Sequence, residues 1–224
     1  MKINTIFNNL FEIEENELNL DSFMENVNSI LIPYTDKFEI PLTKNTKPGN
    51  TGKVGFFIES LFGILPNNSR NPDFGNFIGE LKTVKLSRNS FTSVSIATIS
   101  RSSYNRINLY PTKGFFNDSA PYLKMRNTLY VFYRKVKSYP DEYVVDSWKM
   151  INLDNLSKSV KDILKNDYSI CSKALCRHSY EKLSGPGNHF PNTQYLQLTY
   201  KGSRGYNYPS WKFSKEFMKI IQYS

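Results

Sequence analysis

Apolar positions recur along this chain with two periods, and they divide it into helical and extended segments. Over residues 1–32, Ile6, Leu10 and Ile13, then Phe23, Val27, Ile30 and Leu31, fall at helical spacing. Asp21-Ser22 is placed to cap the second of these helices, and Pro33 to end it. Ile40 to Asn50, with Pro41, Pro48 and Gly49, reads as a loop, and Val54 to Ile64 as an amphipathic helix. Pro66 to Asn71 is turn-rich, Ile78 to Leu86 reads as a strand, and Ser93 to Ile99 alternates as a strand. Arg101 to Lys113, with Tyr104 and Tyr110, is a polar, basic connection. Thr128 to Tyr133 is a strong β run, Val144 to Met150 a further strand with Trp148 in the core, and Leu153 to Leu164 a helix. Tyr195 to Tyr200 reads as a strand, and Trp211 to Phe217 leads into a final helix. The pattern predicts a mixed α/β (α+β) fold over 1–224, without repeats or a low-complexity linker.

Charge changes this picture by its distribution. The net charge is +9. Residues 1–50 hold 4 Lys and no Arg against 8 acidic residues, giving −4; the remainder holds 25 basic against 12 acidic, giving +13. A basic body after an acidic opening fits a polyanionic partner. The group Glu12, Glu14, Glu15 and Glu17 reads as a solvated face. No apolar run is long enough to span a membrane, and no basic region precedes an apolar one at the start. Cys171 and Cys176, even with His178, do not complete a zinc site and read as reduced thiols, so a cytoplasmic location is expected. His178 and His189 are the only histidines, and neither sits in a Ser/His/Asp or HExxH arrangement.

The chemistry concentrates between Lys53 and Lys85. Glu80 and Lys82 leave the predicted strand on one face, while Leu81 and Thr83 leave it on the other. Asp73 follows Pro72 and precedes Phe74-Gly75-Asn76, a turn-like link that can fold it back beside the strand. Asp73 and Glu80 then become candidates to share Mg²⁺, which takes hard oxygen ligands and usually one or two carboxylates. Lys82 beside them is suited to orient or deprotonate a water, or to stabilise negative charge on phosphate. The plain alternative is an exposed strand pair, which contributes little. Gly55, one turn before Glu59, allows close approach of a strand or of DNA.

Pro72-Asp73, six residues and Glu80-Leu81-Lys82 resembles the PD-(D/E)xK nuclease signature. With Val54-Gly55-x-x-x-Glu59 fourteen positions before Asp73, the stretch resembles the MutH-like endonucleases, mismatch-repair and restriction enzymes that cut at GATC. The resemblance implies a restriction-endonuclease-like core: a mixed sheet flanked by helices, with two lobes around a DNA cleft. About 1–120 would be mainly catalytic and about 121–224 mainly for DNA recognition. It implies catalytic roles for Glu59, Asp73, Glu80 and Lys82, with a helpful lysine before a strand, best matched by Lys124 with Arg126 as competitor. It implies Mg²⁺, with Mn²⁺ able to substitute, held by Asp73, Glu80, the Leu81 backbone carbonyl and Glu59.

Candidate DNA contacts are Lys53, near a helix N-terminus with Thr51, and Arg70, Lys85, Arg126, Lys201, Arg204 and Lys215. Arg177 in Ala174 to His178 resembles a family segment that reaches guanine, for which the guanidinium is suited. The family's methyl-adenine sensor aligns on Lys212, beside Trp211, a departure that leaves methylation sensitivity open. The activity implied is type II restriction cleavage of double-stranded DNA leaving 5′-phosphates, with a companion DNA methyltransferase. One site cuts one strand, so double-strand cleavage needs a homodimer on DNA or sequential nicks. The alternatives are a mismatch-repair nicking enzyme and a catalytically silent DNA-binding or allosteric module.

Overall fold

The computed structural model describes residues 20–40, 52–64, 72–74, 78–87, 90–99, 116–136, 142–177, 193–201 and 208–224. It is a mixed α/β protein. Two compact units interleave along the chain: 1–89 with 128–150, and 90–127 with 151–224. The chain leaves the first unit after residue 89 and returns to it for residues 128–150.

In the first unit, α1 (Leu20–Leu31) is followed by a 3₁₀ turn at Ile32–Tyr34, β1 (Phe38–Glu39), α2 (Lys53–Leu61) and β2 (Glu80–Ser87). Next in this unit come β5 (Asn127–Lys135) and β6 (Glu142–Asn152), apart from the residue or two of each that lie beyond its bounds. The sheet order is β1-β6-β5-β2. β1 runs antiparallel to β6, whereas β2 runs parallel to β5, with Glu80 opposite Thr128 and Lys82 opposite Tyr130. Parallel neighbours require a long crossover, which is why residues of the other unit lie between them in sequence. Leu129 to Tyr133 are all buried, so both faces of β5 are covered. That burial explains the unbroken apolar run, in place of alternation.

The core joins Phe23, Val27 and Leu31 of α1 and Val54 and Ile58 of α2 to Leu81, Leu129, Val131, Tyr143 and Val145 of the sheet. Phe38 stacks on Phe57 at 5.3 Å, and Tyr34 meets both rings edge-on. Trp148 is half-buried, and its indole N–H donates to Asn28 Oδ1 at 2.8 Å. Asp21 lies in the first turn of α1, where a carboxylate suits the helix dipole.

In the second unit, β4 (Val94–Thr98), β8 (Tyr208–Phe213) and β7 (Leu196–Lys201) form an antiparallel sheet with β8 in the centre. The unit also holds β3 (Ser90–Phe91), α3 (Ala120–Met125), α4 (Lys158–Arg177) and α5 (Lys215–Tyr223). Trp211 stacks on Tyr168 of α4 at 5.5 Å, and Phe213 packs on Phe217 of α5 at 4.4 Å. Ala120–Met125, just before β5 in sequence, is helical. The Ser119 side chain accepts from the Tyr122 amide, and Pro121 suits the first turn. The helix expected over Leu153 to Leu164 is a 3₁₀ turn, Leu153–Asn155, followed by the longer α4. Asn152 caps the turn, and Ser157 Oγ accepts from Val160 N–H at 3.4 Å at the start of α4.

The second half of α4 was hidden because its buried stripe contains a carboxylate. Asp167 is 3% exposed between Leu164 and Cys171. It accepts from the amides of Gln194 (3.2 Å), Tyr195 (2.6 Å) and Leu196 (3.0 Å), fixing the entry into β7. We predict that Asp167→Ala, which strands these donors, lowers the free energy of unfolding by about 3 kcal/mol. Denaturant titration checks this; a change below about 1 kcal/mol would contradict the anchoring role.

Candidate active site

Glu59 owes its position to the end of α2. Gly63 takes φ 69°, the Ile64 amide donates to the Glu59 carbonyl at 3.0 Å and the Gly63 amide to the Ser60 carbonyl at 3.1 Å. These paired bonds close the helix in a Schellman motif, so Glu59 sits in the last turn. Gly55, one turn earlier, faces β2: a Cβ added there would lie 3.4 Å from Thr83 Oγ1. Of the two readings of Gly55, close approach of a strand is the one observed.

Asp73 is fixed by its neighbours. Phe74 is buried and meets Phe23 at 5.4 Å and Phe62 at 5.6 Å, both edge-on. The Phe74 amide donates to the Gly79 carbonyl at 2.8 Å. Gly79 has φ 109°, which glycine adopts readily, and it turns the chain into β2. Asp73 Oδ2 accepts from the Leu81 amide at 3.1 Å. That amide is half of the Glu80–Leu81 peptide unit, so the Asp73 carboxylate is held against the start of the strand.

Glu80 is 1% exposed, and the Lys82 ammonium contacts its Oε1. The Lys82 side chain is itself only 20% exposed. The pair is therefore not the solvated strand pair of the plain alternative. A buried carboxylate is tolerated only with such compensation. Leu81, on the opposite face, is buried in the core.

The electrostatics join all four groups. Burial raises the Glu59 carboxyl above its ordinary value, the negative charges of Asp73 and Glu80 raise it further, and Lys82 opposes them. Helix end, turn and strand thus bring Glu59, Asp73, Glu80 and Lys82 within electrostatic range of one another. Among the described residues, no three His, Cys, Asp or Glu side chains are gathered as a metal cluster. Asp73 Oδ2 is directed at the Leu81 amide, and Glu80 Oε1 at Lys82. The donor set still fits Mg²⁺ or Mn²⁺ by its chemistry, because Asp73, Glu80 and the Leu81 carbonyl offer hard oxygen and Mg²⁺ needs only one or two carboxylates.

The other candidates are scattered. Lys53 is 4% exposed, with its ammonium 5.6 Å from the centre of the Tyr143 ring. It is a buried cation on an aromatic face. Lys85 is exposed near the far end of β2. Lys124 lies in the last turn of α3 in the second unit. Arg126 is exposed, and its Nε pairs with Asp154 Oδ2 at 2.8 Å, so it is held by an internal ion pair. Arg177 ends α4 and is exposed, as is Lys215 at the start of α5. Lys212 is half-buried on β8, opposite Ser95 and Gln197. Its neighbour Trp211 is 3% exposed on the other face. Lys201 ends β7. Arg70, Arg204, Thr51, His178 and His189 lie outside the described residues.

Two polar centres carried no sequence signal. One is Asp167. The other is Asp154, whose carboxyl is held below its ordinary range by the Tyr122 hydroxyl, with Arg126 assisting against the effect of burial. Tyr122 is correspondingly pushed up to about 12, burial contributing most. Their partners lie roughly thirty residues away in sequence, beyond the reach of the short-range helix and strand periodicities on which such readings rest.

No helix among the described residues is long and apolar enough to cross a membrane. No family model matches the chain, and a search of curated proteins finds no significant match.

A raised carboxyl binds its proton more tightly in the folded state than in the unfolded chain. Stability from Glu59 is then fully present below its ordinary value of 4.5 and is lost as pH rises through the folded value. We predict that Glu59→Gln raises the melting temperature at pH 8 and that the gain shrinks as pH falls through the folded value towards 4.5. Melting curves across pH check this; a Glu59→Gln protein less stable than wild type at pH 8 would contradict the clustering of charge.

Proposed function

We propose that this chain is a Mg²⁺-dependent endonuclease of the PD-(D/E)xK type, MutH-like, hydrolysing phosphodiester bonds of double-stranded DNA. Within that chemistry we favour a type II restriction enzyme with GATC as its site. The observation that most supports this reading is the meeting of Glu59, Asp73, Glu80 and Lys82, from three separate stretches, in the first unit. On this reading the mixed sheet with its helices is the restriction-endonuclease-like core.

Asp73 and Glu80, with the Leu81 carbonyl, would hold the metal, which when bound supplies Lewis acidity and a more acidic water. Asp73 is already fixed by the Leu81 amide, so its placement does not depend on substrate. Lys82 is poised on Glu80, where its ammonium would orient the attacking water and offset charge growing on the phosphate oxygens. The new bond forms between the water oxygen and phosphorus. The bond from phosphorus to the 3′ oxygen breaks, and that oxygen takes a proton, leaving a 5′-phosphate. Glu59, whose carboxyl is raised by burial and by Asp73 and Glu80, would serve as the proton acceptor of this group. The net charge of +9 supports a polyanionic substrate.

Plasmid digestion by the purified chain, with Mg²⁺ or EDTA, on methylated and unmethylated DNA, tests this reading. Cleavage by the chain alone supports restriction, whereas cleavage only with added partner proteins supports the repair alternative. Asp73→Asn and Glu80→Gln should each lower the cleavage rate by roughly a thousand-fold, about 4 kcal/mol. Melting temperature should stay near that of wild type, since both replacements keep their shape and an acceptor oxygen. Full activity in Glu80→Gln would remove the site. Duplex binding should weaken steeply with added salt; a flat response would remove the phosphate grip.

A further inference from the structure

The first unit contains a cavity of about 830 Å³ at the end of the parallel pair away from Glu80. It is lined by Lys85 to Ser87 at the end of β2, Arg134 to Val136 at the end of β5, Val144 and Asp146 of β6, and Lys37. Four of these side chains are cationic and one is anionic. Arg134 Nε lies 3.6 Å from Asp146, and Lys37 Nζ lies 4.0 Å from Glu142, so the carboxylates offset only part of the charge. Leu86, Val136 and Val144 supply an apolar wall beside the cations.

This cavity is not an extension of the carboxylate–lysine group. Glu80 and Lys82 share one face of β2 with Val84, and the neighbouring residues of β5 on that face are Tyr130 and Phe132. Val84, Tyr130 and Phe132 are at most 1% exposed. A buried apolar layer therefore separates the two along the sheet. A phosphate backbone lying against Lys82 would not continue across that layer into the cavity.

We propose that the cavity is a binding site for a small phosphate-bearing ligand of mononucleotide size. Its volume falls within the range of small-molecule sites and far exceeds a bare phosphate. Arg134, Lys135, Lys85 and Lys37 form the anionic pole, with guanidinium and ammonium groups suited to phosphate oxygens. The apolar wall takes a base. The site is independent of the proposed nuclease reaction and stands if that reading fails.

The test uses the full chain and isothermal titration with ATP, with inorganic pyrophosphate as the probe lacking a base. Wild type should bind ATP more tightly than pyrophosphate. Arg134→Gln combined with Lys135→Gln, both at exposed positions, should weaken ATP binding by about ten-fold or more. Asp146→Asn should strengthen it, because an opposing charge is removed. These opposite changes are not what generalised unfolding would produce. Absence of ATP binding, or equal affinity in all three proteins, would overturn the proposal. A third arm measures a short DNA duplex: if the double variant weakens duplex binding while ATP does not bind wild type, the cavity serves a DNA flank instead.

Discussion

A carboxylate cannot be taken out of water at the start of a strand unless something nearby answers its charge. In the first unit that constraint is met at Glu80 by Lys82, and the adjoining peptide is gripped by Asp73 through the Leu81 amide. The rest of the unit supplies the conditions for these contacts. Phe74 roots the turn in the core, Gly79 supplies its reversal, and the packing of Gly55 against Thr83 lets α2 lie close enough to bring Glu59 near. The parallel neighbour β5 holds the strand in register, with Thr128 beside Glu80.

The cost of this arrangement falls on Glu59. It has two negative neighbours and one positive one, and it is partly withdrawn from solvent. Charge concentrated at the expense of stability is common where groups are selected for chemistry and not for folding. Asp167 is the contrasting case. Its carboxylate is more deeply buried, in a largely apolar stripe, and three backbone amides answer it. Its role is to shape the chain at the entry into β7.

What could be read from the residues was whatever depends on short-range periodicity. The period of two around Glu80 and Lys82 placed them on one face, and the helical spacing of Gly55 and Glu59 placed both on α2. The turn residues around Asp73 gave its return to the strand. What could not be read was any feature set by a partner far along the chain. Lys53 looked like a helix-start cation because nothing local reveals Tyr143 beneath it. Arg126 looked available because Asp154 lies in another element. The helix α4 seemed to stop at Leu164 because Asp167 interrupts the apolar stripe, and its partners lie in the entry to β7. The interleaving of the units was hidden for the same reason: hydrophobic pattern identifies a strand but not its neighbour.

The parallel register has a kinetic side. β2 pairs with a strand roughly fifty residues further along the chain, a separation that slows closure of a native contact. During synthesis, Glu80 and Lys82 would emerge well before Thr128 and Tyr130 leave the ribosome. Until then one edge of an eight-residue strand lacks its neighbour and is open to pairing with other nascent chains. The exposed Lys85 near the end of that strand is a charge of the kind that discourages such pairing. The same lysine would then guard the chain before folding and line the cavity afterwards.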